Sequence, residues 1–151
     1  MGISRSTKSG SDPGHLYDVR VPYLRPSIAD VATEIAACLA EGDGAGALRL
    51  AFRCVELYER APLDERPQVV EREPTSTGDL RYDALLAAIA EYVCARDSVV
   101  APRWVEASER FLGEWWFVSG MKSLYAEAIA HSPISFARRG VFITSGALTY
   151  A

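Results

Sequence analysis

Two kinds of signal in this 151-residue sequence predict a mainly α fold: a single helical domain of about five helices, with a disordered N-terminal arm (residues 1–26) and a short extended C-terminal segment. Apolar residues recur at three- and four-residue spacing in several separate stretches, which places them on one face of a helix. Helix-starting and helix-stopping residues (Ser, Asp, Pro and Gly) stand at the ends of those stretches. The length fits one domain able to bury a core. The composition, 49% hydrophobic and 24% charged, is that of an ordinary soluble protein.

The first 26 residues carry Ser, Gly and three prolines, Pro13, Pro22 and Pro26, and read as an arm without a packed core. Within it Leu16 to Leu24 has β-like residues, and Pro22 would confine such a strand to an edge. No apolar stretch of a secretory signal opens the chain, and no run is long enough to span a bilayer. The first predicted helix begins after Ser27, with Asp30 three places later completing a capping box. Ile28, Val31, Ile35 and Leu39 line its apolar face, and Gly42 and Gly44 end it. The second runs from Ala45 to Arg60 with Leu48, Phe52, Val55 and Leu57 or Tyr58 inward, so the two form a helical hairpin. Arg49, Arg53, Glu56 and Glu59 read as its solvated face. The turn EGDG lacks the preceding strand and following Lys of a phosphate loop.

Residues Pro62 to Gly78 are polar and proline-broken, a loop with a helical turn around Arg66 to Arg72. Asp79 then caps a third helix through Ala95, whose Leu80, Leu85, Leu86, Ile89, Tyr92 and Val93 make a wide apolar stripe. Its alanines permit close packing, which predicts the central helix of the core. Beyond Asp97 the reading is a connector with Pro102 and Trp104, a short helix from Glu106 to Phe111, and a helix from Gly120 to Ala130 capped by Ser119. Ser132-Pro133 starts a last short helix that Gly140 stops, and Val141 to Thr144 is β-like.

Catalytic chemistry is not legible. The two histidines, His15 and His131, lie in the arm and at a helix end, and no carboxylate pair or metal-ligand spacing stands out. No catalytic, cofactor or metal residue is assigned, and the chain reads as a non-enzyme. Cys38, Cys54 and Cys94 sit in apolar helical patterns and read as buried thiols of a reducing, cytoplasmic environment. The net charge is −4, split into +2 for residues 1–26 and −6 for the rest, which disfavours nucleic acid except at the arm. What remains is an aromatic and basic group in the C-terminal third: Trp104, Trp115, Trp116, Phe117, Arg138 and Arg139. Adjacent Trp115 and Trp116 cannot both point inward, and Trp and Arg are enriched at interface hot spots, so these six are the predicted partner-binding residues.

Three stretches, Ile28 to Phe52, Thr77 to Val93 and Ala101 to Ile143, resemble a group of small actinobacterial proteins. The match rests on Thr77-Gly78-Asp79, Tyr82-Asp83, Arg110-Phe111-Leu112, Trp115-Trp116-Phe117, His131-Ser132-Pro133, Phe136 and Arg138-Arg139-Gly140, densest in the last third. The resemblance implies an antitoxin-like protein that binds and blocks a partner enzyme, a nucleotidyltransferase-like toxin. Some such proteins carry an added helix-turn-helix domain, and this chain has no full-length domain of that sort. The alternative is a DNA-binding autoregulator using the basic arm and the first hairpin. Homo-oligomerisation is left open, and no membrane partner is expected.

Overall fold

The computed structural model describes residues 25–149, and they fold as a mainly helical chain. The predicted arm therefore lies outside the described residues except for Arg25 and Pro26, and so do His15 and the β-like stretch 16–24. α1 (Ile28–Ala40) starts as the sequence predicts: the Asp30 N–H donates to Ser27 Oγ, and the Ser27 N–H donates to the Asp30 carboxylate at 2.9 Å. Arg72 joins this corner with an N–H 2.7 Å from Asp30.

α2 (Gly44–Arg60) is capped by Asp43, which accepts from the Gly46 N–H at 2.8 Å. A Cβ on Gly46 would stand 2.1 Å from that carboxylate, so glycine leaves room for the cap. Its buried face is the predicted one only in part, at Val55 and Tyr58. Ala47, Ala51, Cys54, Val55 and Tyr58 face inward while Leu48 and Phe52 are half-buried. Small side chains let α2 lie closer to α1 than leucine and phenylalanine would, and close approach wins over side-chain size.

The proline-broken stretch holds a 3-10 turn at Leu63–Glu65 and the short α3 (Arg66–Val70), whose Val69 and Val70 are buried. Arg66 ties this region down by donating to the carbonyls of Ala61 and Glu59 and to the Asp97 carboxylate. α4 (Leu80–Arg96), capped by Asp79, is the predicted central helix: every residue from Tyr82 to Ala90 is buried. Two members of its stripe depart from burial: Leu80, at the first position, is 60% exposed, and Tyr92 is half-buried.

The C-terminal third departs most from expectation. The predicted helix Glu106 to Phe111 is instead two 3-10 turns, Arg103–Glu106 and Ser108–Arg110, separated by Ala107 in an extended conformation. The helix predicted from Gly120 begins only at Tyr125: α5 is Tyr125–His131, after a 3-10 turn at Lys122–Leu124. Gly120 has φ +71°, which a helix does not accommodate, and Ser119 Oγ accepts from Met121 N–H within a turn rather than capping. Met121, left outside the helix, and Ile129, within α5, are both exposed.

α6 (Ile134–Ala137) follows Pro133, but Ser132 does not cap it. Its hydroxyl accepts from the Ile143 N–H at 2.8 Å and lies 2.7 Å from the Ala128 carbonyl, stapling the end of α5 to the last strand. Gly140, with φ +80°, turns the chain out of α6 as predicted. β2 (Val141–Phe142) then pairs in parallel with β1 (Trp116–Phe117), in register Trp116 with Val141 and Phe117 with Phe142. The extended C-terminal segment is thus a real strand, and its partner is Trp116–Phe117, a stretch given no strand in the sequence reading. Among the described residues no helix is long and apolar enough to cross a membrane.

Candidate partner-binding site

Trp115 immediately precedes β1 and Trp116 opens it, so the two rings leave the extended chain on opposite sides. Trp116 turns toward the helical body. Its ring lies 5.4 Å from that of Tyr82, and the Arg81 guanidinium covers it at 5.3 Å. Trp115 turns outward and is 65% exposed. It rests on Phe142 at 4.9 Å and meets Phe117 edge-on at 6.3 Å, while Phe117 stacks on Tyr125 at 3.8 Å. Four rings from β1, β2 and α5 therefore make one shelf with Trp115 at its open edge. Ile129, exposed and one helical turn beyond Tyr125, continues it along α5.

The other predicted contacts sort differently. Trp104 is 7% exposed and its Nε1–H donates to the Val70 carbonyl at 2.8 Å, locking the 103–106 turn onto α3. Arg139 is completely buried. It donates to the carbonyls of Ser135 and Val105 and to the Glu91 carboxylate, with its guanidinium over the Phe111 ring. Neither residue is therefore on the surface a partner would meet: both are buried, and they direct N–H groups to carbonyls inside the fold. Arg138 bridges Glu91 and Glu106 from the surface, so it too is neutralised within the chain.

Electrostatics follow from these pairings. Burial pushes Glu91 up, but hydrogen bonds from Arg139 and Arg138 outweigh it and hold its carboxyl below the ordinary value of 4.5. Burial pulls the Arg139 guanidinium down, opposed by Glu91. A guanidinium inside a protein stays charged, so the pair acts as a buried salt bridge. Burial likewise raises the thiols of Cys54 to about 12 and Cys94 to about 11, which suits the buried role predicted for both; Cys38 is only half-buried.

Sequence reasoning missed a second set of polar residues. Asp83, inside the apolar stretch of α4, is buried and accepts from Thr77 N–H and Oγ1, both at 2.8 Å, and from Ser76 Oγ at 2.6 Å. Arg110, also buried, donates to the Pro74 carbonyl at 2.9 Å and lies over Trp104 at 4.9 Å. The visible signal was a lone carboxylate amid YDALLAAIA, which a helix tolerates in its core only when fully hydrogen-bonded. These residues shape the turn before α4. Among the described residues no three His, Cys, Asp or Glu side chains converge as metal ligands do. No protein-family model, curated protein or solved structure matches the chain.

Proposed function

We propose that the chain is an antitoxin-like protein that binds and neutralises a partner enzyme through the aromatic shelf around Trp115. One observation carries the reading: a tryptophan largely open to solvent, held by a four-ring cluster rather than by a loose loop. Trp115 offers a partner on the order of 150 Å² of ring surface, worth about 3–4 kcal/mol before ordering costs. Its neighbours hold the ring in place, which lowers those costs. The class of partner, a nucleotidyltransferase-type toxin, rests on the resemblance of the Thr77 to Ile143 residues alone.

Co-expression with the product of the adjacent gene tests the proposal. A complex that survives purification, together with relief of growth arrest by this chain, is the expected outcome; no complex and no relief sink it. The DNA-binding alternative has less in its favour. Residues 28–60, the first hairpin, carry six acidic side chains against three arginines, so the surface that would face phosphates repels them. Binding of its own promoter DNA at low salt would restore that reading.

A further inference from the structure

We propose that, in the chain on its own, the aromatic shelf is covered by a second copy of this chain. The two shelves meet face to face about a two-fold axis, with Glu114 of each copy set against Lys122 of the other. The inference concerns the same surface as the partner-binding reading above and does not depend on it.

The shelf is a row of rings. Trp115 meets Phe117 at 6.3 Å, Phe117 stacks on Tyr125 at 3.8 Å, and both Trp115 and Phe117 rest on Phe142. Trp115, Met121 in the turn before α5, and Ile129 on α5 are 65%, 58% and 49% exposed. Together they leave on the order of 300–400 Å² of apolar surface open to water. Two such surfaces, with their half-buried rings and a polar rim, bury about 1,000 Å² on meeting, the lower limit for a specific interface. The area therefore suits a second copy that binds weakly, with half-association at about 100 µM.

Charge fixes the occupant and its orientation. Glu114 precedes Trp115 at one end of the row, and Lys122 stands in the turn that leads into Tyr125 at the other. Both are exposed, and neither makes an ion pair among the described residues. An apolar strip that is negative at one end and positive at the other complements itself when turned end for end. Each carboxylate then meets the ammonium of the second copy, and two-fold symmetry makes the contact twice. The net charge of −4 on each copy opposes association at long range. At about 0.15 M salt that repulsion is screened within about 8 Å, whereas the Glu114–Lys122 contacts are made at close range.

The test is sedimentation equilibrium of the full chain from about 10 µM to about 1 mM at that salt, where a monomer–dimer equilibrium is expected. Trp115→Ala is expected to raise the dissociation constant at least about tenfold. Glu114→Lys should weaken the pair about tenfold, because both symmetry-related contacts turn repulsive, and the swap Glu114→Lys/Lys122→Glu should restore it. Carbodiimide treatment of an equal mixture of isotope-labelled and unlabelled chain should join Glu114 of one copy to Lys122 of the other. Lys122 is the single lysine of residues 25–149, so that link is assignable. A monomer at about 1 mM overturns the proposal, as does a dimer indifferent to Trp115→Ala or to the charge reversal, or a link formed only within one chain. Because no partner is present, failure here leaves the functional reading standing, and failed co-purification leaves this result unchanged.

Discussion

The arginine pair at 138 and 139 shows how little a residue type says before its neighbours are known. Both look like surface cations in RRG, yet Arg139 is swallowed whole and Arg138 spans two glutamates. Glu91 is the common partner, and its loss would leave a buried guanidinium without its counter-charge. Glu91→Gln is expected to destabilise the fold by about 2–3 kcal/mol at pH 7, read by urea denaturation. The pH dependence has a definite sign. The carboxyl of Glu91 titrates lower in the folded chain than its ordinary 4.5, so protons bind the unfolded chain more readily. Its contribution is fully present above pH 4.5 and is lost as pH falls through the lower folded value. Glu91→Gln, which cannot titrate, should therefore show a shallower loss of stability across that acid range than the unmodified chain. An equally steep acid limb would assign the effect elsewhere.

At the scale of elements, the helices whose ends are closed by nearby side chains form where the sequence predicts, and those closed by distant ones do not. Ser27 and Asp30 cap α1 and Asp79 caps α4 because donor and acceptor are two or three residues apart. Ser132 has the composition of a cap but serves Ile143, eleven residues away, because β2 needs an acceptor where its pairing with β1 ends. Ser132→Ala should cost about 1–2 kcal/mol, since it leaves the Ile143 N–H without a partner in a buried position. Hydrogen exchange would show it as faster exchange at Ile143 and along β2, with α1 and α2 unchanged. Uniform acceleration throughout the chain would instead mean that this corner unfolds only with the whole.

For the whole molecule, α4 is the axis around which the rest is arranged, and buried arginines fasten the C-terminal third to it: Arg110 donates to the Asp83 carbonyl and Arg139 to the Glu91 carboxylate. Trp104 ties the same third to α3 through the Val70 carbonyl. That economy leaves Trp115 as the large aromatic side chain still facing solvent on the β1–β2 unit. Trp115→Ala should leave the thermal midpoint within about 2 °C of the parent, because little of the ring's burial is lost. Its affinity for the partner should fall by at least about 30-fold, the signature of a hot spot. Calorimetry of the variant and its complex separates the two effects; a large fall in midpoint would make Trp115 a core residue instead. Only part of this surface was legible beforehand. Alternation along the chain required one of Trp115 and Trp116 to face out, but which one depends on the pairing of β1 with β2.

Read alone, the sequence determined α1, α2 and α4, the caps of α1 and α4, the stop at Gly140 and the strand character of Val141 and Phe142. All of these depend on residues within about four positions of one another, where backbone geometry itself sets the neighbours. It did not determine that Ala47, Ala51 and Cys54 are more deeply buried on α2 than Leu48 and Phe52, the late start of α5, the register of Trp116 with Val141, or the burial of Trp104 and Arg139. Those were decided by groups tens of residues apart: Val70 for Trp104, and Glu91 and Val105 for Arg139. A buried polar side chain goes where most of its hydrogen bonds can be met, and only the assembled chain brings those partners together.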